Sequence, residues 1–148
     1  MRPEHLATSE ALETFLRGFE TGTLAKSEWT HGAHVGAAAS YLFNSNFETI
    51  MPLMRARISA FNLAVGGANT PTSGYHETLT QFWLLIVAES LRQHLPASRL
   101  EAARHAVAVF GEARALHTLY YSGDVVKDTA ARQQWRAPDL LPLPGGLA

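Results

Sequence analysis

The sequence predicts an all-α protein with five to six helices, packed as an antiparallel bundle in a single domain. Three observations favour this fold. Apolar residues recur at helical spacing along most of the 148 residues. Side chains that suit helix caps precede several of these segments, and no stretch alternates apolar and polar residues as strands do. A chain of this length can bury a continuous core, so we expect residues 1–148 to form one domain.

The first two helices are indicated by apolar spacing behind residues that suit N-caps. Over residues 9–20, apolar side chains share one face, and Ser9 is placed to cap the start. Ser27 is placed to cap a second helix over residues 28–44. The stripe that we expect to face the core in this helix consists of His31, His34, Val35, Ala38, Tyr41 and Leu42.

A third helix and a long loop come next. Asn46 can cap a helix that continues to about residue 64, with Pro52 in its first turns. The following connection, residues 65–74, is rich in Gly, Asn, Thr, Pro and Ser. It is longer than most links between helices, so we expect an ordered functional loop at the site end of the bundle.

Two more helices are predicted by a strongly apolar segment and by a capping signature. The fourth, over residues 74–94, is the most apolar and is expected to lie centrally until Pro96 ends it. Ser98 and Glu101 have the spacing of a capping box, which predicts a fifth helix that continues towards Tyr121. A short last helix is expected after that.

The C-terminal segment is predicted to hold little regular structure. Residues 127–135 suit the short last helix. From about residue 136 the chain contains several prolines, which predict an extended tail.

Composition excludes several classes of function. Cysteine is absent, so disulfides, thiolate metal sites and a cysteine nucleophile are ruled out. Twelve basic and thirteen acidic residues give a net charge of −1 with no block of either sign, which argues against nucleic acid and membrane surfaces as partners. Neither a membrane-spanning run nor a signal-peptide pattern is present. We expect a cytoplasmic protein that acts on a small molecule, as a monomer or a homodimer.

The histidines form the strongest functional pattern. His31 and His34 are three residues apart, so both imidazoles point the same way from a helix. If consecutive helices run antiparallel, His76 at the start of the fourth helix joins this pair. The helix dipole disfavours a positive charge in a first turn and so keeps these imidazoles neutral. Three neutral imidazoles are typical of a catalytic metal site, with zinc or iron as the divalent ion.

Glu77 and Tyr75 flank His76 and are the candidate catalytic groups. Glu77 can orient an imidazole or act as a general base for metal-bound water. Equally, a glutamate in a first turn stabilises the helix dipole without any chemistry. Tyr75 lies between Gly74 and His76, at the expected mouth of the site.

Four further residues are predicted to contact a substrate, namely Trp29, Asn62, His117 and Tyr121. Asn62 lies beside the long loop, and the fifth helix is expected to bring His117 and Tyr121 to the same end. Trp29 suits a pocket wall, although a periodically placed aromatic residue is more often part of the core. Arg114 is one of several arginines that can recognise an anion, although surface charge is their default role.

Three functions fit these patterns. The leading hypothesis is a mononuclear metal-dependent enzyme, hydrolytic or oxidative, that acts on a small and partly apolar molecule. The second is a metal-free enzyme in which a histidine exchanges protons with Glu77 or Tyr75 as partner, as in isomerases and lyases. In the third, the bundle binds a small ligand without reaction.

Several motifs resemble a family of uncharacterised bacterial helical proteins of about this length. The matching segments are residues 29–34 (WTHxAH), 69–70 (NT), 74–78 (GYHET), 130–135 and 138–140. The resemblance implies a helical fold over most of the chain and carries no activity with it. The histidine pattern is also similar to that of DinB-like bundles, which hold a metal with three histidines but take their pair at HxxxH spacing from a late helix. That similarity implies architecture alone.

Overall fold

The computed structural model describes residues 1–146 and confirms an all-α bundle. Its helices are α1 (Ser9–Glu20), α2 (His31–Leu42), α3 (Phe47–Ala64), α4 (Glu77–His94), α5 (Arg99–Phe110) and the short α6 (Thr129–Gln133). Within these residues the chain forms no β-strand. The last two residues of the predicted domain and tail, 147 and 148, lie outside the described part. No helix in residues 1–146 is long and apolar enough to cross a membrane.

The N-caps of α3 and α5 are those predicted. The Asn46 side chain accepts a hydrogen bond from the backbone N–H of Thr49 at 2.8 Å. Ser98 accepts one from the N–H of Glu101, whose carboxylate in turn accepts from the N–H of Ala97 at 2.7 Å. These reciprocal hydrogen bonds satisfy backbone donors that a helix start leaves free.

The first two helices are capped by threonines instead of the predicted serines. Thr8 caps α1 one residue earlier than predicted, and Thr30 caps α2 three residues later. Residues Lys26–Glu28 form a separate 3₁₀ turn. The later start matters for the site, because it makes His31 the first residue of α2.

The ends of α4, α5 and α6 also differ from the prediction. α4 begins at Glu77 because the ring of His76 accepts the N–H of Leu79 and so serves as the N-cap. α5 ends at Phe110 instead of continuing towards Tyr121, and a 3₁₀ turn over Leu116–Leu119 follows. α6 is shorter than predicted at both ends.

Two buried clusters lie on either side of α4, which is central as predicted. The larger joins α1 to α5, and within it small residues such as Ala33 and Ala37 of α2 allow close packing against α5. The smaller places Tyr121 and Val125 against Phe82 of α4. The predicted extended tail returns to this second cluster, where Leu143 is 4% exposed.

Candidate functional site

A cavity of about 590 Å³ at one end of the bundle contains most of the predicted site residues. Its volume is that of a typical small-molecule pocket. The walls come from the starts of α2 and α4, the later turns of α3, and the segment after α5. The predicted residues that line it are Trp29, His31, His34, Asn62, Tyr75, His76 and His117.

Antiparallel connectivity explains why these residues meet. The Nε2 atom of His31, at the start of α2, lies 3.1 Å from the carbonyl oxygen of Phe110, at the end of α5. Asn62 near the end of α3 and His76 at the start of α4 line the same cavity. The prediction that these four helix ends share one end of the bundle is therefore confirmed.

His34 has a tautomer that its surroundings determine. Its Nδ1 atom lies 2.8 Å from the carbonyl oxygen of Thr30. Because a carbonyl only accepts hydrogen bonds, Nδ1 carries the proton and Nε2 keeps its lone pair. Within residues 1–146, this Nε2 atom has no hydrogen-bond partner. Burial above all, with smaller contributions from repulsion by the neighbouring ring of His31 when it is protonated and by the Arg114 guanidinium, lowers the pKa of His34 to about 4.

His31 and His117 each use one ring nitrogen in a hydrogen bond to a backbone carbonyl oxygen. His31 donates from Nε2 to Phe110, and His117 donates from Nδ1 to the carbonyl oxygen of Arg114 at 3.2 Å. The ring of His31 meets the edge of Trp83 at 4.6 Å between centroids. Burial is the main cause that lowers the pKa of His31.

His76 differs because both of its ring nitrogens are hydrogen-bonded to the backbone. Nε2 donates to the carbonyl oxygen of Val125 at 2.9 Å, and Nδ1 accepts the N–H of Leu79 at 3.2 Å. The residue is 7% exposed, and burial is the main cause that lowers its pKa. While both hydrogen bonds hold, His76 has no lone pair to offer a metal ion.

The predicted trio of His31, His34 and His76 shares a cavity without forming a coordination site. Across residues 1–146, no group of three or more His, Asp or Glu side chains is arranged to hold a metal ion. The hydrogen bonds of His76 give one physical reason, since a ligand must present a free nitrogen. Zinc or iron at this site stays a prediction.

Glu77 pairs with Tyr75 and Arg55 instead of a histidine. Its carboxylate accepts from Arg55 at 2.9 Å (Nε) and 2.7 Å (Nη2), and from the Tyr75 hydroxyl at 2.7 Å. The Arg55 guanidinium is the main cause that lowers the pKa of Glu77. Tyr75 lines the cavity and Glu77 does not. This geometry supports a positioning role for Glu77, through the ring of Tyr75.

The predicted loop over residues 65–74 is ordered by Asn69. The Asn69 amide donates to the carbonyl oxygen of Ser59 at 2.9 Å, and its Oδ1 accepts from Asn62 at 2.9 Å and from the N–H of Tyr75 at 3.0 Å. Gly74 has a φ of +80°, and a Cβ there would lie only 2.1 Å from a backbone oxygen. The Asn62 amide is thus engaged in holding the loop that forms the cavity mouth.

Tyr121 does not reach the cavity, which corrects its predicted role as a substrate contact. α5 ends eleven residues before it, and the ring turns inward to pack 5.9 Å from Phe82. It is 2% exposed, and its hydroxyl has no hydrogen-bond partner in residues 1–146. Tyr121 is a core residue of the second cluster.

Trp29 belongs to both the core and the cavity wall. Its ring stacks on Phe19 at 4.0 Å on the core side and lies 4.2 Å from the ring of His34. Its indole N–H is buried without a partner in the described part of the chain. Trp29 therefore fixes one face of the His34 imidazole.

The charges around the cavity are of one sign. Among its lining residues none is acidic, and Arg114 supplies a permanent positive charge. Within residues 1–146 the Arg114 guanidinium forms neither an ion pair nor a hydrogen bond. The sequence indicates Arg114 only as one of several arginines, because the predicted α5 continues past Gly111, whereas the helix ends at Phe110 with Gly111 as its C-cap.

Comparison with known proteins adds no constraint. No family model, curated protein or solved structure matches this chain.

Proposed function

We propose that this protein is a metal-free enzyme that binds a small, partly apolar molecule in the cavity and uses His34 as a general base. The observation that carries the proposal is the Nε2 atom of His34, which keeps its lone pair and has no protein partner in residues 1–146. A base needs an unprotonated nitrogen within reach of its substrate. Of the predicted metal ligands, His76 is the one whose hydrogen bonds oppose metal binding.

The proposed reaction is a proton transfer within one substrate. His34 Nε2 takes a proton from a carbon or oxygen atom and returns it to another atom of the same molecule, as in isomerases. In the intermediate, the imidazolium keeps its Nδ1–H on the Thr30 carbonyl oxygen, which stabilises the charge. If a leaving group departs with the bonding electrons instead, His34 gives the proton to that leaving group or to water, and the same base supports an elimination.

Two measurements test the role of His34. Nitrogen-15 NMR at pH 7 should show a neutral ring protonated on Nδ1, and the opposite tautomer would overturn the proposal. In D₂O, mass spectrometry of a pool of small molecules should reveal deuterium incorporation or conversion by the wild type. His34→Gln should abolish this reaction, whereas His105→Gln, which changes a histidine outside the cavity, should retain it. Equal conversion by His34→Gln would also overturn the proposal.

A second candidate is the metal-dependent enzyme, because His31, His34 and His117 each have one ring nitrogen without a hydrogen-bond partner in residues 1–146. Metal analysis of untagged protein separates the two candidates. We expect far less than one metal ion per chain, before and after incubation with Zn²⁺ or Fe²⁺ and gel filtration. Near-stoichiometric metal that is lost in His34→Ala or in His117→Ala would favour the metal-dependent enzyme.

A further inference from the structure

We propose that the molecule bound in this cavity carries a carboxylate, which Arg114 recognises at the mouth while an apolar body fills the interior. This inference rests on the proposed function and specifies its substrate class. It depends on three features of the cavity: its charge, its walls and the position of His34.

The charge of the cavity selects an anion. Arg114 is an exposed guanidinium with no ion pair in the described residues, and no acidic residue lines the cavity to compete for it. A guanidinium presents a planar fork of donors that matches a carboxylate in bidentate geometry. A cation would instead meet one permanent positive charge and no counter-charge.

The backbone of Arg114 is fixed beside the cavity by a hydrogen bond within the turn over residues 114–117. Its carbonyl oxygen accepts the Nδ1–H of His117, which also lines the cavity. Nε2 of His117 has no hydrogen-bond partner in the described residues, so a polar group next to the carboxylate has a hydrogen-bonding site near Arg114.

The interior selects an apolar body. Beyond the histidines, the wall consists mainly of Trp29, Trp83, Leu79, Met54 and Ile58. Trp83 is held edge-on by the rings of His31 and Phe110 at 4.6 and 6.0 Å. Such rigid aromatic walls favour a flat or branched hydrocarbon group over a strongly hydrated one.

An anion at Arg114 also improves His34 as a base. The positive charge of Arg114 is one cause that lowers the pKa of His34. A carboxylate that neutralises it removes this cause and adds a negative charge nearby, so the pKa of His34 rises towards the range in which a general base is most effective. Binding of the carboxylate would thus raise the basicity of His34, while the larger effect of burial on its pKa remains.

A matched pair of probes tests the proposal without an activity assay. 3-Phenylpropanoate and its neutral amide, 3-phenylpropanamide, have the same body and differ in charge. NMR titration of the wild type should give a dissociation constant at least about fivefold lower for the acid than for the amide. Arg114→Gln should remove this preference and Arg114→Lys should keep part of it. Arg17→Gln, which removes a surface arginine outside the cavity, should leave it unchanged.

The same titration reports on His34. The acid should move the midpoint of the His34 ring titration to higher pH, and the amide should not. Equal affinity for the two probes, a preference that survives Arg114→Gln, or no binding of either probe at millimolar concentration would overturn the proposal. Because binding is measured directly, a preference for the acid together with the wrong His34 tautomer would disprove the general base and leave carboxylate recognition intact.

Discussion

The carbonyl oxygen of Thr30 accepts two hydrogen bonds from His34, one from its backbone N–H at 3.0 Å and one from its ring Nδ1–H at 2.8 Å. The first is the opening hydrogen bond of α2, and the second is a side-chain hydrogen bond between the same two residues, which lie about one helical turn apart. Meanwhile the Thr30 hydroxyl caps the N–H of Ala33. One residue thus starts the helix and determines the protonated nitrogen of the candidate base.

Acid should destabilise the protein through His34. Its pKa is about 4 in the folded state against an ordinary value of 6.5, so the unfolded state binds more protons between these values. The stability contributed by the neutral ring is complete above pH 6.5 and is lost as the pH falls towards 4. We expect the free energy of unfolding, measured with urea, to fall between pH 7 and pH 5 in both proteins. The fall should be about 1–2 kcal/mol smaller in His34→Gln than in the wild type.

Between pH 7 and pH 8 the wild type and His34→Gln should show the same pH dependence, which provides the internal control. If the variant and the wild type remained parallel down to pH 5, the folded-state pKa of His34 would lie near its ordinary value. The ring would then titrate freely, contrary to its buried contact with Trp29.

His76 should act as a helix cap that asparagine can partly replace. His76→Ala removes the acceptor for the Leu79 N–H and the donor to Val125, and should cost about 2 kcal/mol in the free energy of unfolding. His76→Asn restores a cap acceptor and should recover about half of that cost. If asparagine were no better than alanine in urea denaturation, capping would not be the role of this ring.

Most of the fold could be predicted from the sequence, because the helical spacing of apolar residues and the residues that cap helices are local features of the chain. Leu12, Phe15, Leu16 and Phe19 were placed on one face of α1, and each is at most 2% exposed. Helix boundaries were less predictable, because two adjacent hydroxyl residues compete as caps. Ser9 follows Thr8, and the tertiary position of the chain decides between them.

The sequence predicted which residues come together at the site better than it predicted which of their atoms are available for chemistry. His31, His34 and His76 share one cavity because the order of helices brings their starts together. Which ring nitrogens are engaged depends on the carbonyl oxygens of Thr30, Phe110 and Val125, whose positions no side-chain pattern encodes. The sequence identifies each histidine but does not show which backbone carbonyl oxygen its ring contacts.

Glu77 should support Tyr75 without taking part in proton transfer. Glu77→Gln and Arg55→Gln remove the same ion pair from opposite ends, so both should cost up to about 1 kcal/mol in unfolding free energy. Because Arg55 lowers the pKa of Glu77, this contribution is present above pH 4.5 and is lost below it. Deuterium incorporation should be similar in the two variants. Loss in Glu77→Gln alone would instead make Glu77 a reacting group.

Removing the Tyr121 hydroxyl should leave the protein as stable as before or stabilise it by up to about 1 kcal/mol. The oxygen is buried and has no hydrogen-bond partner in residues 1–146. Folding therefore removes it from water, and no hydrogen bond within the protein offsets that cost. Tyr75→Phe is the matched control, because that hydroxyl donates to Glu77 at 2.7 Å. It should cost about 1 kcal/mol in the same urea denaturation.

A cost for Tyr121→Phe as large as that of Tyr75→Phe would show that the Tyr121 hydroxyl has a partner in solution. Weaker binding of 3-phenylpropanoate by Tyr121→Phe would return Tyr121 to the candidate site.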